Sequence, residues 1–394
     1  MNRRKFILAS ASLAAYGLMP GKTFGNWLAP GRNYISEPYD DNKVVRVYDR
    51  KVSNYDFTGT GVYWKTIDED VLRQMLVKGL TEISGEKNEA KAWKKILAGG
   101  EKADLSGKKI AIKVNFNNTI RDCHTTLNNS PAMIGVLSHS LLEAGMKQEN
   151  ICFFDCSRPF PEEFKTEVRQ KNLDKILMLG ANDLLPESKQ TIFLSDNQGF
   201  PLNGKPTDQF PIPQCLMDAD YLINLHLVKI HMPGVTGAMK NLFGLSKDVH
   251  PYMHNGATKP FTVSNHLPDI SLSPEIKKRA RLNIAEFIFG GHTPDTVDKF
   301  TNEKIFPEGR PSSLIVSRSP FYHDTVLYGF IKAEYETCVP VLKRFQKMGP
   351  DGWLKNSSER YPAWKYDQAA LVQVNAGGGI QKDLSFAKVN YVSV

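Results

Sequence analysis

The sequence predicts an α/β fold in which a mostly parallel sheet is flanked by helices, with an N-terminal strand-helix preamble. From Lys108 onward, short apolar strand patterns alternate with helical patterns, and this order is typical of a parallel sheet with helical crossovers. The 394 residues, of which 41% are hydrophobic, exclude a disordered or collagen-like chain. We therefore expect a preamble over residues 30–107 that packs on a main domain over residues 108–394.

The preamble contains one predicted strand and two predicted helices. Residues 44–48 have the alternation of a strand. Asp68 precedes an amphipathic helix, because the apolar residues after it recur at helical spacing. A lysine-rich helix over 90–97 ends the segment.

The main domain begins with two predicted strands that enclose a helix. Residues 110–114 and Ile151–Phe154 are apolar runs of strand length, and residues 131–145 carry apolar side chains along one helical face. Further strands are predicted at 175–178, 191–194 and 221–225. In such sheets, ligand sites lie beyond the carboxyl ends of the strands. The residues that end these strands are therefore the candidates for a functional site.

Residues 1–29 have the pattern of a removable export signal. Arg3, Arg4 and Lys5 precede an apolar run over 6–18, which is too short to cross a bilayer. The arginine pair resembles a twin-arginine signal, while an ordinary secretory signal or a retained anchor is the alternative. This pattern predicts an exported, periplasmic protein that uses the twin-arginine export machinery and keeps no membrane span after signal removal.

The net charge does not indicate nucleic-acid binding. The chain carries +8 at neutral pH, but four of its cations and no acidic residue lie in residues 1–29, so removing that segment leaves +4. No basic run suited to a phosphate backbone remains. Five scattered cysteines are also too few for a disulfide scaffold. We expect a small-molecule substrate and no nucleic-acid partner.

Polar residues stand at the ends of the predicted strands. Lysine is a point-charge partner for a carboxylate or phosphate, and asparagine orients a bound group through its amide. A solvent-exposed position at a strand end is the alternative for each of them. The substrate-binding candidates at these strand ends are Lys113, Asn115, Ser157, Arg158 and Asn224.

The densest group of titratable residues lies within 226–254. Four of the nine histidines occur there, together with Lys229 and Lys240. Histidines so close together favour metal binding or proton transfer about as much as burial in the core. The metal-ligand candidates are His226, His250 and His254, and the catalytic candidates are His231, Lys229 and Lys240.

Glycines punctuate the segment that follows the strand at 221–225. Gly234, Thr236 and Gly237 allow backbone N–H groups to converge, and with Lys240 they would form an anion cradle. The alternative is a tight turn with a surface lysine. Thr236, Gly237 and Asn241 accordingly join the substrate-binding candidates.

Three acidic residues have their own interpretations. Asp155 is expected either to pair with Lys113 or Lys240 or to cap the next helix. Glu286 lies in an apolar run, and it is either a carboxylate on a helix surface or a functional acid. Asp324 is predicted to cap a helix over 325–331.

These motifs together resemble the family called domain of unknown function 362. The resemblance rests on Ile112-Lys113-Val114-Asn115, on the run from Asn224 to Gly244 with its Thr-Gly-x-x-Lys-Asn-x-x-Gly motif, and on Asp324-Thr-Val in a helix. It extends over roughly residues 43–394. It implies membership of that family and supplies no particular reaction.

Residues 144–159 carry a second resemblance, to the nickel-pincer lactate racemase family. That family has a helix ending in Ala-Gly, then a strand and a Thr-His-Arg-Pro motif, and this chain has Cys-Ser-Arg-Pro at the corresponding place. The resemblance implies that His231 corresponds to a site histidine and Lys240 to the lysine that joins the pincer cofactor. It also implies that His250 or His254 corresponds to the nickel ligand.

The sequence thus predicts an exported enzyme that acts on a small anionic or carbohydrate-acid substrate by metal- or cofactor-assisted proton abstraction, of the racemase, epimerase or lyase type. His231 would exchange protons, and Lys240 would anchor an anion or a cofactor. The cofactor is left open: a divalent metal is one option, and Ser157, where the racemase motif has histidine, disfavours a pincer-type group. The alternative function is a non-catalytic periplasmic module that binds a ligand or serves a redox partner.

Overall fold

The structure of the protein is a computed structural model. The residues it describes are 39, 41–58, 61–116, 119, 122–183, 186–194, 209–231, 234–247, 266–338, 354 and 390–393. The export-signal segment 1–29 and two predicted metal ligands, His250 and His254, lie outside the described residues. All described residues belong to one unit, Glu37–Val394.

Eleven strands are found in the described part of the chain. They are β1 (Lys43–Tyr48), β2 (Ile110–Lys113), β3 (Ile151–Phe154), β4 (Leu177–Leu179), β5 (Glu187–Phe193), β6 (Gln209–Pro213), β7 (Tyr221–His231), β8 (Gly234–Thr236), β9 (Ala280–Gly291), β10 (Ser313–Ser317) and β11 (Asn390–Ser393). Nine of these described strands form one sheet in the order β11-β1-β10-β9-β7-β2-β3-β4, with β8 paired to β7. Strands β9, β7, β2, β3 and β4 run parallel, whereas β10 is antiparallel to β9 and β1.

Helices cover both faces of this sheet. The helices are α1 (Glu69–Ser84), α2 (Glu89–Ala98), α3 (Pro131–Glu143), α4 (Glu162–Arg169), α5 (Gln214–Met217), α6 (Ala238–Asn241), α7 (His266–Leu272), α8 (Pro274–Lys277) and α9 (Pro320–Thr337). Apolar side chains of α1 to α4 form one hydrophobic cluster with the sheet. Those of α5 to α9 form a second cluster on the opposite face. The predicted α/β class with a mostly parallel sheet is confirmed.

The helix termini follow signals in the sequence. The Asp68 side chain accepts hydrogen bonds from the first turn of α1, and Gly85, at a φ of 72°, ends that helix in the left-handed region. Helix α3 begins at Pro131 after the capping side chain of Ser130. Within the described residues, no helix combines the length and the apolar character that crossing a membrane requires.

Two strands differ from what their sequence patterns suggest. Strand β7 continues to His231, beyond the predicted 221–225, because its apolar run is followed by residues that stay paired with β8 and β9. Strand β9 contains Asn283 and Glu286, so the interpretation of Glu286 as a carboxylate on a helix surface is wrong. Asn283 and Glu286 are three residues apart in an apolar run, which is the spacing of a polar helical face. In the structure both side chains are buried.

The N-terminal strand is part of the main sheet. Strand β1 pairs with β10 on one side and with β11 on the other, and α1 and α2 contribute to the cluster that covers β2 and β3. Residues on both sides of the predicted boundary at 107/108 therefore share one layered core.

Candidate functional site

A row of polar residues crosses the parallel strands near their carboxyl ends. Lys113 of β2 is in register with Asn224 of β7, which is in register with Asn283 of β9. Residues in register on parallel strands project to the same face of a sheet. The Asn224 Nδ2 group accordingly donates to Asn283 Oδ1 at 3.3 Å. Of this row, Asn283 was missed by sequence reasoning, although its position in an apolar run was a usable signal.

Lys113 forms a buried ion pair with Asp155, the first residue after β3. Its Nζ lies 3.1 Å from Asp155 Oδ2 and also donates to Val114 O at 2.5 Å. Asp155 accepts further hydrogen bonds from Phe116 N and from the Ser157 hydroxyl. A buried pair needs such additional partners to offset its desolvation. Of the predicted roles of Asp155, the geometry supports pairing with Lys113.

Gly244 permits this ion pair to form at its position. A Cβ atom at Gly244 would collide with Lys113 Nζ and lie 3.1 Å from Asp155 Oδ1. The Gly244 carbonyl in turn accepts a hydrogen bond from Cys156 N at 2.9 Å. The glycine that ends the Thr-Gly-x-x-Lys-Asn-x-x-Gly motif is therefore a packing requirement of the site.

Three asparagines form a directed hydrogen-bond chain beside the ion pair. Asn224 Nδ2 donates to Ala238 O at 2.6 Å, Asn241 Nδ2 donates to Asn224 Oδ1 at 2.7 Å, and Asn115 Nδ2 donates to Asn241 Oδ1 at 2.9 Å. Because a carbonyl oxygen can only accept, the first bond fixes the orientation of every amide after it. Asn115 Oδ1 is then an acceptor that is shielded from solvent and receives no hydrogen bond from any residue that the structure describes.

Two further lysines are buried near this network. Lys240 Nζ donates to His231 O at 2.6 Å, and Lys229 Nζ donates to Leu127 O at 3.3 Å. The pairing of β7 with β9 is irregular between Leu227 and Lys229, and such irregularities re-aim side chains near functional sites.

Burial shifts the protonation of both amines. It lowers the pKa of Lys229 to about 7, with Asp295 and Asp155 opposing this shift and the cations Arg158 and Lys113 adding to it. Burial, and then the charge of Lys229, holds the pKa of Lys240 well below its usual range. Five groups are within electrostatic reach of Lys229, and they are three cations and two carboxylates. The arrangement can bind an anion and can present a neutral amine near pH 7.

The N-terminus of α6 is occupied by a carboxylate of the chain itself. Asp324 accepts hydrogen bonds from Ala238 N at 2.5 Å and from Met239 N at 2.9 Å. A Cβ atom at Gly237 would collide with Asp324 Oδ1. These two donors are therefore not available to an anion cradle, and substrate contacts by Thr236 and Gly237 stay a prediction.

The expected role of Asp324 is corrected by this geometry. Asp324 lies inside α9, which begins at Pro320, and it caps α6 instead of its own helix. Burial raises the pKa of its carboxyl group to about 7, although both backbone hydrogen bonds oppose that shift.

Residues 110–328 match the family described as Domain of unknown function (DUF362). The chain belongs to this family. The matched range contains Lys113, the asparagine chain, both buried lysines and the Asp324 cap, and it confirms the resemblance stated from the motifs. No curated protein matches the sequence.

Among solved structures, the DUF362 chain is similar to the lactate racemase apoprotein from Thermoanaerobacterium thermosaccharolyticum. The TM-score is 0.37 and the sequence identity is 11%. The match covers 76% of this chain and 59% of the racemase chain, so it spans less than two thirds of that protein's length.

His226 of the DUF362 chain lies in a buried histidine pair. Its Nδ1 faces Leu227 O at 3.0 Å, and its Nε2 lies 2.9 Å from Nε2 of His323. With a proton on His226 Nδ1, His323 must donate from Nε2, which leaves His323 Nδ1 as a buried acceptor with no partner in the described part of the chain. Burial lowers the pKa of His226 to about 4. A metal ion at His226 would have to displace one of these two contacts.

Glu286 lies on the other face of the sheet, at the start of α3. It accepts hydrogen bonds from Asn129 Nδ2 at 2.9 Å and from Ser130 N at 3.1 Å. Burial raises its pKa to about 7 against the effect of these donors. This carboxyl group therefore positions the loop that leads into α3.

The DUF362 chain brings most predicted site residues together. Asn115, Asn224 and Asn241 are joined by the hydrogen bonds described above, and Asn241 Nδ2 also donates to Lys113 O at 3.3 Å. Lys240 donates to the backbone oxygen of His231. Ser157 is joined to Asp155, and Arg158, half-buried beside it, acts on Lys229 electrostatically. His250 and His254 lie outside the described residues.

Proposed function

We propose that this protein is an exported enzyme that binds a small carboxylate-bearing substrate, such as a carbohydrate acid, and transfers a proton beside the carboxylate. Racemases, epimerases and lyases use this chemistry. The observation that carries the proposal is the pair of buried amines, Lys229 and Lys240. Burial and mutual repulsion disfavour their ammonium forms, and a bound anion would offset both effects.

The binding part of the proposal rests on charge and on one acceptor atom. Lys240, close to Lys229 and His231, would anchor the substrate carboxylate. Asn115 Oδ1 would accept a hydrogen bond from a substrate hydroxyl, because the asparagine chain fixes its direction and supplies no donor to it. A carboxylate together with a hydroxyl is the minimum that a hydroxy acid or a sugar acid offers.

The proton-transfer part assigns the base to Lys229. An amine with a pKa of about 7 is partly neutral at neutral pH, as a general base must be. The C–H bond beside the substrate carboxylate breaks, its proton moves to Lys229 Nζ, and its electron pair moves into the carboxylate as an enediolate that Lys240 stabilises. In a racemase or epimerase, His231 would then return a proton to the opposite face. In a lyase, departure of a neighbouring group would complete the reaction.

A metal or other cofactor enters the proposal only through His250 and His254, the candidates outside the described residues. Such a group would add electrophilic stabilisation of the enediolate. Each step assigned above uses the side chains of the described residues.

The test is solvent hydrogen exchange. The purified protein is incubated in D₂O with a panel of hydroxy acids and sugar acids, and deuterium beside the carboxylate is measured by NMR. We expect at least one acid to exchange, and Lys229→Met and Lys240→Met to slow that exchange at least 100-fold, on the scale of general acid–base catalysis. Lys147→Met is the matched control, because Lys147 is solvent-exposed.

Two outcomes would contradict the proposal. In one, no acid exchanges while one of them raises the melting temperature by mass action, and the protein is then a binding module. In the other, an acid exchanges equally fast in the wild type and in the two lysine variants, and the proton is then moved elsewhere.

A further inference from the structure

A second group of potential ligands lies apart from the lysines, in the connection between β2 and α3. Cys123 and His124 are adjacent in this connection, and Glu163 lies in the first turn of α4. His124 Nε2 is 2.5 Å from Glu163 Oε2, and Cys123 Sγ is 3.8 Å from the same oxygen. The three donor atoms all lie within 4.8 Å of one another.

The chain fixes the two loop residues in place. Asp122 accepts hydrogen bonds from His124 N at 2.8 Å and from Thr125 N at 3.2 Å. Trp64 Nε1 donates to the Cys123 carbonyl at 3.1 Å. These contacts hold the backbone, so the thiol and the imidazole are presented to Glu163 without a further change of the loop.

The remaining polar atoms of the cluster are turned to other partners. Asp122 Oδ1 lies 3.8 Å from His124 Nδ1, and a carboxylate behind the second ring nitrogen is the usual support of a metal-bound histidine. Lys65 Nζ is 3.6 Å from Glu163 Oε1, which is the carboxylate oxygen that faces away from His124. Glu163 Oε2, His124 Nε2 and Cys123 Sγ are thus the donor atoms that lie next to one another.

We propose that Cys123, His124 and Glu163 form a binding site for a divalent transition metal of the zinc type. A sulfur, a nitrogen and an oxygen donor suit Zn²⁺, whereas Ca²⁺ and Mg²⁺ take oxygen ligands. Zinc bonds of about 2.0 Å to N and O and about 2.3 Å to S set tetrahedral donors about 3.3–3.5 Å apart. The distance of 3.8 Å between Cys123 Sγ and Glu163 Oε2 is near that value. The distance of 2.5 Å between His124 Nε2 and Glu163 Oε2 must increase when the metal binds.

Two of the three side chains are partly exposed, so they can move to zinc-binding distances and water can reach the site as a fourth ligand. The His124 and Glu163 side chains are 46% and 35% exposed, so both can rotate into solvent-accessible space. Water can occupy the fourth position, as it does in open zinc sites. None of the three ligands takes part in the proton transfer proposed for the lysines, so either proposal can fail while the other stands.

Cobalt binding tests this site, because Co²⁺ replaces Zn²⁺ and gives a thiolate charge-transfer band when sulfur binds it. The full chain is purified without a histidine tag, treated with a chelator, dialysed and titrated with Co²⁺. We expect one equivalent to bind with that band and to be displaced by Zn²⁺. Cys123→Ser should abolish the band, and His124→Ala and Glu163→Gln should weaken affinity at least tenfold.

Cys338→Ser and His139→Ala are the matched controls, since neither residue belongs to the cluster, and both variants should bind as the wild type does. Circular dichroism of each variant separates loss of the ligand from loss of the fold. The proposal is overturned if the wild type binds neither Co²⁺ nor Zn²⁺, or if the folded Cys123→Ser variant keeps the charge-transfer band.

Discussion

Lys113 shows how single atoms define this site. Lys113 is 1% exposed and forms an ion pair with Asp155, and backbone and hydroxyl partners surround the pair. Lys229 is equally buried, yet its nearest described hydrogen-bond partner is the neutral oxygen of Leu127. The same side chain is thus an ion-pair partner at one position and an amine of lowered pKa at the other.

Gly244→Ala tests the packing of the Lys113 pair. The added methyl group would displace Lys113 Nζ from Asp155, and breaking a buried pair costs about 3–5 kcal/mol when one charge is left without its partner. We expect the free energy of unfolding, measured with urea, to fall by about 3 kcal/mol. Gly100→Ala is the control, because a Cβ there meets nothing within 4 Å. Equal stability of the two variants would contradict this role of Gly244.

At the scale of elements, α6 depends on α9. Helix α6 has only four residues, too few to be stable by its own hydrogen bonds, and Asp324 of α9 holds its first two N–H groups. Gly237 allows the carboxylate to approach. Lys240 and Asn241 are carried by α6, so the cap from α9 positions both of them.

Asp324→Asn tests this dependence. The amide has one acceptor oxygen where the carboxylate has two, so one of the two N–H groups loses its partner, at a cost of about 1–2 kcal/mol. We expect faster hydrogen exchange at the amides of Ala238 and Met239, measured by NMR, with little change in β2 and β3. Asp174→Asn, at an exposed position, is the control. Unchanged exchange at both amides would show that α6 does not need the cap.

The elements that were predicted well are those with local signals. Strand Ile151–Phe154 and the start of α3 at Pro131 agree with the sequence analysis, because short apolar runs and capping residues act within a few positions. The cap of α6 was missed because Asp324 and Ala238 are 86 residues apart. Glu286 and Asn129, 157 residues apart, were missed for the same reason.

At the scale of the whole molecule, the site lies at the carboxyl ends of the parallel strands, where α6 packs against them. The residue types of the site were predictable, since lysines and asparagines at strand ends stand out in an apolar context. Their roles were not, because burial sets the pKa values and depends on layers contributed by distant parts of the chain.

Export belongs to this scale as well. The pattern of residues 1–29 leads us to propose twin-arginine export, a route that carries folded proteins. Replacing Arg3 and Arg4 together by lysine should leave most of the protein in the cytoplasm, as measured by cell fractionation with immunoblotting. Lys22→Gln, outside the arginine pair, should be exported normally. Normal export of the double variant would favour an ordinary secretory signal.

The central claim is that Lys229 is an amine poised near neutral pH beside an anion site. NMR of protein labelled with ¹³C at the lysine Cε measures this directly, with Lys229→Arg used to assign the signal. We predict a titration midpoint near pH 7, which moves upward when an acid that shows exchange in D₂O is added, because a bound anion favours the ammonium form. A midpoint above pH 10, or one that no acid of the panel moves, would contradict the account.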